Sequence, residues 1–310
     1  MPVVFGTEDG VYRASTIPFD DATRVLAVDR VMRVQRGLGA EDVFACSKTG
    51  LYRSTDGGRT WSDLSVPREE VYSVCVSPDG ERLYAGTHPA HLYVSEDEGE
   101  SWRELEGFQE LPSRKEWFTP RHRNEAHVRS LETHPDAPDR VVAGVEVGGV
   151  HISDDRGETW TERRDGIHDD VHHVFVRDPA EYIASCGNGL YRTRDAGRRW
   201  TRLDEDIAHR YFREAIDHDG RLYAAAARGS PGTWRGESGA DAGLFVFTDD
   251  DETVITVSYP GEPREIVLAW TVANGHVVAG TNDGRVLREV DDEWETSGRI
   301  PAGIRSLCVV

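Results

Sequence analysis

The sequence predicts an all-β fold, a closed seven-bladed β-propeller, on the strength of three repeated features. One turn motif recurs at spacings of 41, 58 and 40 residues. Seven pairs of short apolar strands accompany these turns, and one further strand belongs to each pair. Sequence repeats of 20–50 residues are typical of propellers and solenoids. No linker-like segment divides the 310 residues, so we expect one domain over residues 1–310.

The repeated turn has the pattern S/T-x-D-x-G-x-x-W. The Ser/Thr and Asp side chains of such a motif can hydrogen-bond to the backbone of a tight turn, and its Gly supplies a positive φ. Its Trp re-enters a strand and is expected to bury its ring against the next unit. We therefore predict a structural role for Asp56, Trp61, Asp97, Trp102, Asp155, Trp160, Asp195 and Trp200. Two weaker copies lie at Thr248-Asp249-Asp250 and Asp291-Asp292-Glu293-Trp294.

Each predicted blade contains a pair of short strands with apolar runs or alternation, as strands have. The pairs are 3–6 with 11–13, 43–46 with 51–53, 83–86 with 92–94, 141–144 with 150–152, 182–185 with 190–192, 222–225 with 244–246, and 277–280 with 286–288. The innermost strands are predicted at 31–34, 71–74, 128–131, 171–174, 211–214 and 267–270. The seventh is found at 304–310, so the C-terminal strand should pair with the N-terminal strand and leave no open edge.

The turn motif resembles the Asp box, or BNR repeat, of sialidases, xyloglucan-cleaving glucanases, sortilin-type receptors and a photosystem II assembly factor. Residues 112–160 are similar to uncharacterised prokaryotic BNR-repeat proteins that are usually labelled glycosyl hydrolases. The resemblance implies a propeller, with glycoside hydrolysis as one possible activity. Arg299-Ile300-Pro301 looks like the sialidase R-I-P tripeptide, but sialidases are six-bladed and carry it near the N-terminus. Xyloglucan-cleaving enzymes place their two acids between two propellers, whereas this chain predicts one.

The composition is strongly acidic, with a net charge of −20 from 56 acidic and 36 basic residues. Lys48 and Lys115 are the two lysines, and this balance is typical of proteins from salt-loving archaea. The charge argues against nucleic acid and anionic membranes as partners. The N-terminus lacks the charged and apolar regions of a signal peptide, so we expect a soluble, cytoplasmic monomer. Cys46, Cys75, Cys186 and Cys308 lack zinc-site spacing and are expected to be buried free thiols.

Propeller geometry assigns the turn motifs to one face and the loops between blades to the other. Two long insertions, residues 107–127 and 228–242, fall on the second face, where long loops on a rigid scaffold usually carry function. They contribute four candidate ligand-binding residues: Trp117, Arg121, His122 and Trp234.

The innermost strands enter from this same face, so their first residues should line the mouth of the central channel. These candidates are Arg33, Tyr72, Arg129, His172, Arg213 and Arg305. Converging arginines can bind a carboxylate or phosphate. Alternatively, they form internal ion pairs with neighbouring acids. The leading prediction is a propeller that binds a small anion, a glycan or a protein segment at this face.

Two other functions remain open at this stage. A glycosidase, sialidase-like or of another exo-acting type, would need two carboxylates on the loop face, for which Glu125 and Asp170 are the candidates. An assembly scaffold would need neither. No cofactor fingerprint occurs, and no metal site is predicted, because His172 and His173 point to opposite sides of one strand.

Overall fold

The computed structural model describes residues 1–16, 18–19, 21–234, 239–248, 253–258, 260–262 and 264–310. They form seven antiparallel sheets of four strands each. In chain order the strands are β1 Val3–Thr7, β2 Gly10–Ala14, β3 Thr23–Leu26, β4 Val31–Arg36, β5 Val43–Ser47, β6 Gly50–Ser54, β7 Ser62–Asp63, β8 Val71–Val76, β9 Leu83–Thr87, β10 Leu92–Ser95, β11 Arg103–Glu104, β12 His127–His134, β13 Ala137–Glu146, β14 Gly149–Ser153, β15 Thr161–Glu162, β16 Val171–Val176, β17 Tyr182–Cys186, β18 Gly189–Thr193, β19 Thr201–Arg202, β20 Tyr211–His218, β21 Arg221–Ala227, β22 Gly243–Phe247, β23 Val254–Val257, β24 Val267–Ala273, β25 His276–Thr281, β26 Arg285–Val290, β27 Glu293–Arg299 and β28 Ile304–Val309.

The ring is closed by the two ends of the described chain. Blade one has the strand order β28-β1-β2-β3, and its first strand comes from the C-terminus. Val3 lies opposite Val309 and Phe5 opposite Leu307 in this antiparallel pair. Blades two to seven follow in chain order, each beginning with its innermost strand: β4, β8, β12, β16, β20 and β24. The predicted seven-bladed fold and its closure are therefore confirmed.

The hydrophobic core lies between neighbouring blades rather than in one central mass. One cluster joins Val4 and Val11 of blade one to Val31 and Val43 of blade two, and all four are fully buried. Equivalent clusters fill the other junctions between blades, because each sheet is apolar on both faces. Burying one such side chain contributes roughly 1.5–3 kcal/mol. Each blade is thus stabilised by its two neighbours, and closure supplies the last junction.

The four full motif copies form the same hydrogen-bonded turn between the third and fourth strands of blades two to five. In blade four, Ser153 Oγ donates to Asp155 Oδ1 at 2.8 Å and accepts from the Gly157 N–H at 2.7 Å. Asp155 Oδ1 also accepts from the Thr159 N–H at 2.8 Å. Gly157 has φ = 98°, the left-handed region that favours glycine. The other three copies repeat these bonds, which gives the motif the structural role expected of it.

The motif tryptophans pack against the preceding blade and not the next one. Trp102 of blade three donates from Nε1 to Leu64 O of blade two at 2.8 Å. Trp200 of blade five donates to Arg163 O of blade four at 3.0 Å. Trp61 and Trp160 likewise lie in the cluster shared with the preceding blade. The backbone direction of the turn returns the chain toward that earlier sheet.

The two weaker motif copies are not comparable turns. Asp249 and Asp250 lie outside the described residues. Asp291 and Asp292, with φ of 53° and 66°, form a two-residue hairpin between β26 and β27. Trp294 nevertheless packs edge-on against Trp270, with ring centroids 5.7 Å apart.

The two insertions carry four short 3-10 helices and few other regular elements. Their bounds are Glu106–Glu110, Pro112–Glu116, Pro120–His122 and Pro231–Thr233. Among the described residues, every helix is too short to cross a lipid bilayer. Cys46, Cys75 and Cys186 are buried and Cys308 is half-buried, and all four are free thiols.

Candidate functional site

A β-bulge occurs at the same level in all seven innermost strands. In β12, for example, Val128 lies opposite Val145 and Ser130 opposite Gly144, so Arg129 is an extra residue without a cross-strand partner. A bulge leaves the extra residue out of the ladder and redirects its side chain. The extra residues in the seven strands are Met32, Tyr72, Arg129, His172, Arg213, Leu268 and Arg305.

These seven residues line one cavity of about 20 Å³, which we call the axial cavity. Arg33 and Glu214, each the residue after an extra residue, complete its lining. This volume is that of one or two bound waters. The structure therefore brings together all six channel-mouth residues that the sequence predicted. Met32, Leu268 and Glu214 were not predicted from the sequence. The first two could have been found, because each directly follows the valine that begins a predicted innermost strand, Val31 or Val267.

Three of the four arginines around the axial cavity are paired with carboxylates. Arg33 Nη1 lies 3.2 Å from Glu214 Oε1, and Arg305 Nη1 lies 2.6 Å from Glu8 Oε1. Arg129 Nη1 contacts Glu146 Oε2. The alternative of internal ion pairing is therefore correct for these three side chains.

Arg213 is the exception. Its Nη1 donates to the hydroxyl of Tyr211 at 3.1 Å, and the structure shows no carboxylate beside it among the described residues. The Nε atoms of Arg213 and Arg305 are buried and lack a hydrogen-bond partner in the described chain. A buried N–H without a partner is costly. The axial cavity thus contains one arginine without a carboxylate partner among the described residues and two unsatisfied guanidinium donors.

Charge and burial shift the pKa values of groups around the axial cavity. Burial lowers the pKa of Arg305, and repulsion from Arg129 acts in the same direction, against the opposing effect of Glu8. Burial alone would raise the pKa of Glu146, but the charge of Arg129 and the hydrogen bond with His127 hold it well below its usual value. Burial raises the pKa of Glu214 although Arg33 is beside it. The pKa of Glu146 is thus lowered because Arg129 lies against it, whereas that of Glu214 is raised because burial outweighs the effect of Arg33.

The two insertions meet above this face. Arg121 Nη2 donates to Ser230 Oγ at 3.0 Å, which joins the first insertion to the second. Trp234 lies edge-on to Tyr211 with ring centroids 5.7 Å apart, and Tyr211 lies 4.8 Å from the His172 ring. These aromatic rings connect the second insertion to the axial cavity. Arg121 is exposed, and Trp234 is half-buried and donates from Nε1 to Gly229 O.

Trp117 has a different position from the one expected of a ligand contact. It is 4% exposed, packs against Phe108 at 5.1 Å and donates from Nε1 to Ser113 Oγ. Its packing anchors the first insertion to blade four. The neighbouring Phe118 is the exposed aromatic residue of this loop, at 52%.

The two predicted catalytic carboxylates lie in different surroundings. Glu125 is half-buried at the end of the first insertion, where its charge acts on Arg114. Asp170 stands beside the axial cavity, 3.4 Å from His172 Nε2. The carboxylate close to Asp170 is that of Glu146, and one oxygen of each lies within 4.8 Å of the other.

The Glu146 carboxylate lies close to three histidines of this face. His127 Nε2 lies 3.2 Å and His122 Nε2 3.7 Å from its two oxygens, and His172 Nε2 lies 4.0 Å from Oε2. Burial lowers the pKa of His122, and lowers that of His127 to about 4, so both rings are neutral at pH 7. The structure thus places His122 and His172 around the Glu146 carboxylate. Sequence spacing did not reveal this cluster, because the first insertion supplies His122, blade four supplies Glu146 and blade five supplies His172.

A larger cavity, of about 520 Å³, lies elsewhere, between blades two and three on the face of the motif turns. Its lining includes Leu38, Phe44 and Leu83. Its central cation is already paired, because Arg53 binds both Asp42 and Glu98. Arg82 Nη1, which also lines this larger cavity, is buried without a hydrogen-bond partner among the described residues, although the same side chain pairs with Glu96.

Seven four-stranded blades around a polar axial cavity define the protein as a seven-bladed β-propeller. The chain belongs to the Sortilin-Vps10 family, whose profile, described as "Sortilin, neurotensin receptor 3", matches residues 49–232. That match includes all four full turn motifs.

Individual relatives share the fold over very different lengths. A xyloglucanase of Hypocrea jecorina is 36% identical over 76 residues, which are 23% of this chain and 9% of that protein. The GH74 enzyme of Niastella koreensis superimposes with a TM-score of 0.65 at 16% identity, over 94% of this chain and 46% of that one. YCF48 bound to a D1 peptide gives a TM-score of 0.62 at 14% identity, over 96% and 84%. The chain therefore spans less than half of the glucanase-type relatives it matches.

Proposed function

We propose that this propeller binds a carboxylate group of its ligand in the axial cavity. The observation that carries the proposal is Arg213, a half-buried arginine that faces the cavity without a carboxylate partner in the described chain. Arginine guanidinium groups bind carboxylates through paired N–H donors. A bound carboxylate would give Arg213 an anionic partner and accept hydrogen bonds from the Nε donors of Arg213 and Arg305.

The size of the axial cavity restricts the ligand. A volume of about 20 Å³ accepts an end group and not a sugar ring or an internal peptide segment. The rest of the ligand would then lie outside, beside Trp234 and Arg121 of the insertions. A peptide with a free C-terminal carboxylate fits this arrangement, and the peptide complex of YCF48 supports peptide binding by a propeller of this shape.

The glycosidase alternative finds less support in the same geometry. A general acid needs a raised pKa, whereas that of Glu146, the partner of Asp170, is held well below its usual value. The axial cavity beside this pair is also too small for a saccharide unit. The GH74 enzymes share the blade architecture with this chain, and at 16–17% identity that likeness concerns the fold.

The test is titration calorimetry with short peptides that differ only in a free or an amidated C-terminus, and with acetate as the smallest probe. We expect the free peptide and acetate to bind, and the amidated peptide to bind at least about tenfold more weakly, since a charge-assisted hydrogen bond contributes ~1.5–3 kcal/mol. Arg213→Gln should remove the preference for the free carboxylate.

The matched control is Arg103→Gln. Arg103 is an exposed arginine on an outer strand, paired with Glu158, far along the blade from the axial cavity. Its substitution should leave every affinity unchanged. Equal binding of the free and amidated peptides, or an unchanged preference in Arg213→Gln, would show that the axial cavity is not a carboxylate site.

A further inference from the structure

A second group of unsatisfied atoms lies beside the axial cavity and calls for a cation instead of an anion. His172 Nε2 lies 3.4 Å from Asp170 Oδ1 and 4.0 Å from Glu146 Oε2. His172 Nε2 and Asp170 Oδ1 are both buried and have no hydrogen-bond partner among the described residues. The His172 side chain is 2% exposed, so water cannot reach it freely.

The hydrogen bond on the other ring nitrogen decides which atom of His172 carries the lone pair. Nδ1 contacts the carbonyl oxygen of Phe212, so Nδ1 must carry the proton and donate. In the neutral ring Nε2 then presents a lone pair toward two carboxylates, which also present lone pairs. Arg129 and His127 contact Glu146 Oε2, but no donor lies between His172 Nε2 and Asp170 Oδ1 among the described residues, and a cation among the three groups removes the repulsion between these two acceptors.

We propose that His172, Asp170 and Glu146 bind one divalent transition-metal ion through Nε2 and one carboxylate oxygen each. An imidazole with two carboxylates is a donor set suited to Zn²⁺ and to similar ions such as Co²⁺. The three ligand atoms lie within 4.8 Å of one another. Ligands bound at about 2.0–2.2 Å lie up to roughly 4.4 Å apart, so a small inward rotation completes the site.

The surroundings of His172 have the arrangement usual around metal-binding histidines. Such a ring commonly donates its remote N–H to a backbone carbonyl, which fixes its tautomer and orientation. Phe212 supplies that carbonyl from β20, the innermost strand of the next blade. Asp170 directly precedes β16, which begins at Val171 and carries His172, so the two ligands are held by one short segment.

The other histidine pair near Glu146 is a weaker site. His127 Nε2 already lies 3.2 Å from Glu146 Oε2 and 3.4 Å from Arg129 Nη1. His122 is contributed by the long first insertion, and its side chain is 35% exposed. We therefore place the ion on the Asp170 side of Glu146.

Arg129 opposes the proposed ion, because its guanidinium binds the same carboxylate of Glu146. Removing this positive charge should strengthen metal binding, whereas removal of a merely structural ion pair would weaken any site that depends on the local fold. Arg129→Gln therefore separates a metal site from a cluster of packed polar groups.

The experiment is a Co²⁺ titration of the whole chain, followed by visible absorption, with Zn²⁺ as the competitor. We expect one Co²⁺ per chain, displaced by Zn²⁺. His172→Gln and Asp170→Asn should each weaken Co²⁺ binding at least tenfold, and Arg129→Gln should tighten it several-fold. Thermal unfolding of each variant verifies that it is folded.

Two controls locate the ion. His173→Gln changes the next residue of β16, which faces Glu214 instead, and should leave Co²⁺ binding unchanged. Arg103→Gln, on an outer strand, should also leave it unchanged. Because Co²⁺ and carboxylate binding are measured separately, failure of the carboxylate proposal and failure of this one are distinguishable. Absence of a Co²⁺ band in the wild type, or loss of the band in His127→Gln but not in His172→Gln, would overturn the proposal.

Discussion

A single unpaired residue in each innermost strand determines the chemistry of the axial cavity. Because Arg129, Arg213 and Arg305 are the extra residues of bulges, their side chains leave the pleat and face the axis. Their partners differ, since Glu8 and Glu146 satisfy two of them while Arg213 keeps only Tyr211. The free charge of Arg213 is thus a property of one position and not of the ring as a whole.

Ligand affinity should depend on pH through Glu132, a residue further along β12. Burial raises the pKa of Glu132 to about 7, and the charges of Arg33 and Glu214 act on it. Loss of its proton adds a negative charge to the channel, which disfavours a second anion. We therefore expect carboxylate affinity to be highest below pH 7 and to fall roughly threefold to tenfold as the pH rises to 8.5. Calorimetry with acetate across this range measures the change.

Glu132→Gln provides the control for this pH dependence. The amide is neutral at every pH, so the affinity of the variant should stay at the low-pH value of the wild type. A variant that keeps the full decline would assign the titration to another group, such as Glu214.

The sequence was sufficient to predict six of the nine residues that line the axial cavity, but not how they are paired. Arg33, Tyr72, Arg129, His172, Arg213 and Arg305 follow from the position of each strand start, because a repeat places equivalent residues at equivalent heights. Glu8 reaches Arg305 from the loop after β1, across the ring closure. Ion pairs such as this one depend on the direction of each side chain. The bulges determine that direction, and the sequence does not show where they lie. Trp117 illustrates the same difficulty, since its loop folds back into the core.

At the level of elements, the motif turn is held together by its buried hydroxyl. Ser153 is fully buried and links Asp155 to the Gly157 N–H. Ser153→Ala leaves that N–H without an acceptor, so we expect the free energy of unfolding to fall by about 1–2 kcal/mol. Urea denaturation followed by tryptophan fluorescence measures this loss.

Ser101→Ala is the comparison for this prediction. Ser101 belongs to the same motif in blade three, but it is exposed and its hydroxyl donates only to Asp97 Oδ2. Its removal should change stability by less than about 0.5 kcal/mol. If both variants lost the same stability, the buried hydroxyl would not be the element that holds the turn.

The motif could be recognised in the sequence because its hydrogen bonds are local, within four residues of one another. The hairpin at Asp291 and Asp292 shares the acidic residues and the tryptophan but lacks the preceding Ser/Thr and the Gly. Without these two groups the chain adopts a two-residue hairpin. Local chemistry therefore predicts the turn, whereas the blade that the tryptophan contacts depends on the global path of the chain.

For the whole molecule, closure by β28 is the feature on which the ring depends. Removing residues 304–310 deletes Ile304 and Leu307 from the core between blades seven and one, and exposes the edge of β1. We expect this variant to lose cooperative unfolding and to self-associate, because open strand edges pair with other chains. Calorimetry and light scattering detect both effects.

A circular permutant tests whether the strand itself or its chain connectivity matters. Joining residue 310 to residue 1 by a short linker and opening the chain at the turn between β20 and β21 keeps every strand. Because the Val310 N–H already bonds to Pro2 O at 3.0 Å, the ends are close enough to join. The permutant should unfold at a urea concentration near that of the original chain, and marked destabilisation would contradict this account of closure.

The bulges also separate the specificity of the molecule from its architecture. A residue outside the hydrogen-bond ladder can be exchanged without disturbing the register of the strands on either side. The residues at these seven positions can therefore differ, and with them the ligand that is bound, while the blades of the propeller stay the same. In this protein the seven positions hold three arginines, one histidine, one tyrosine, one methionine and one leucine.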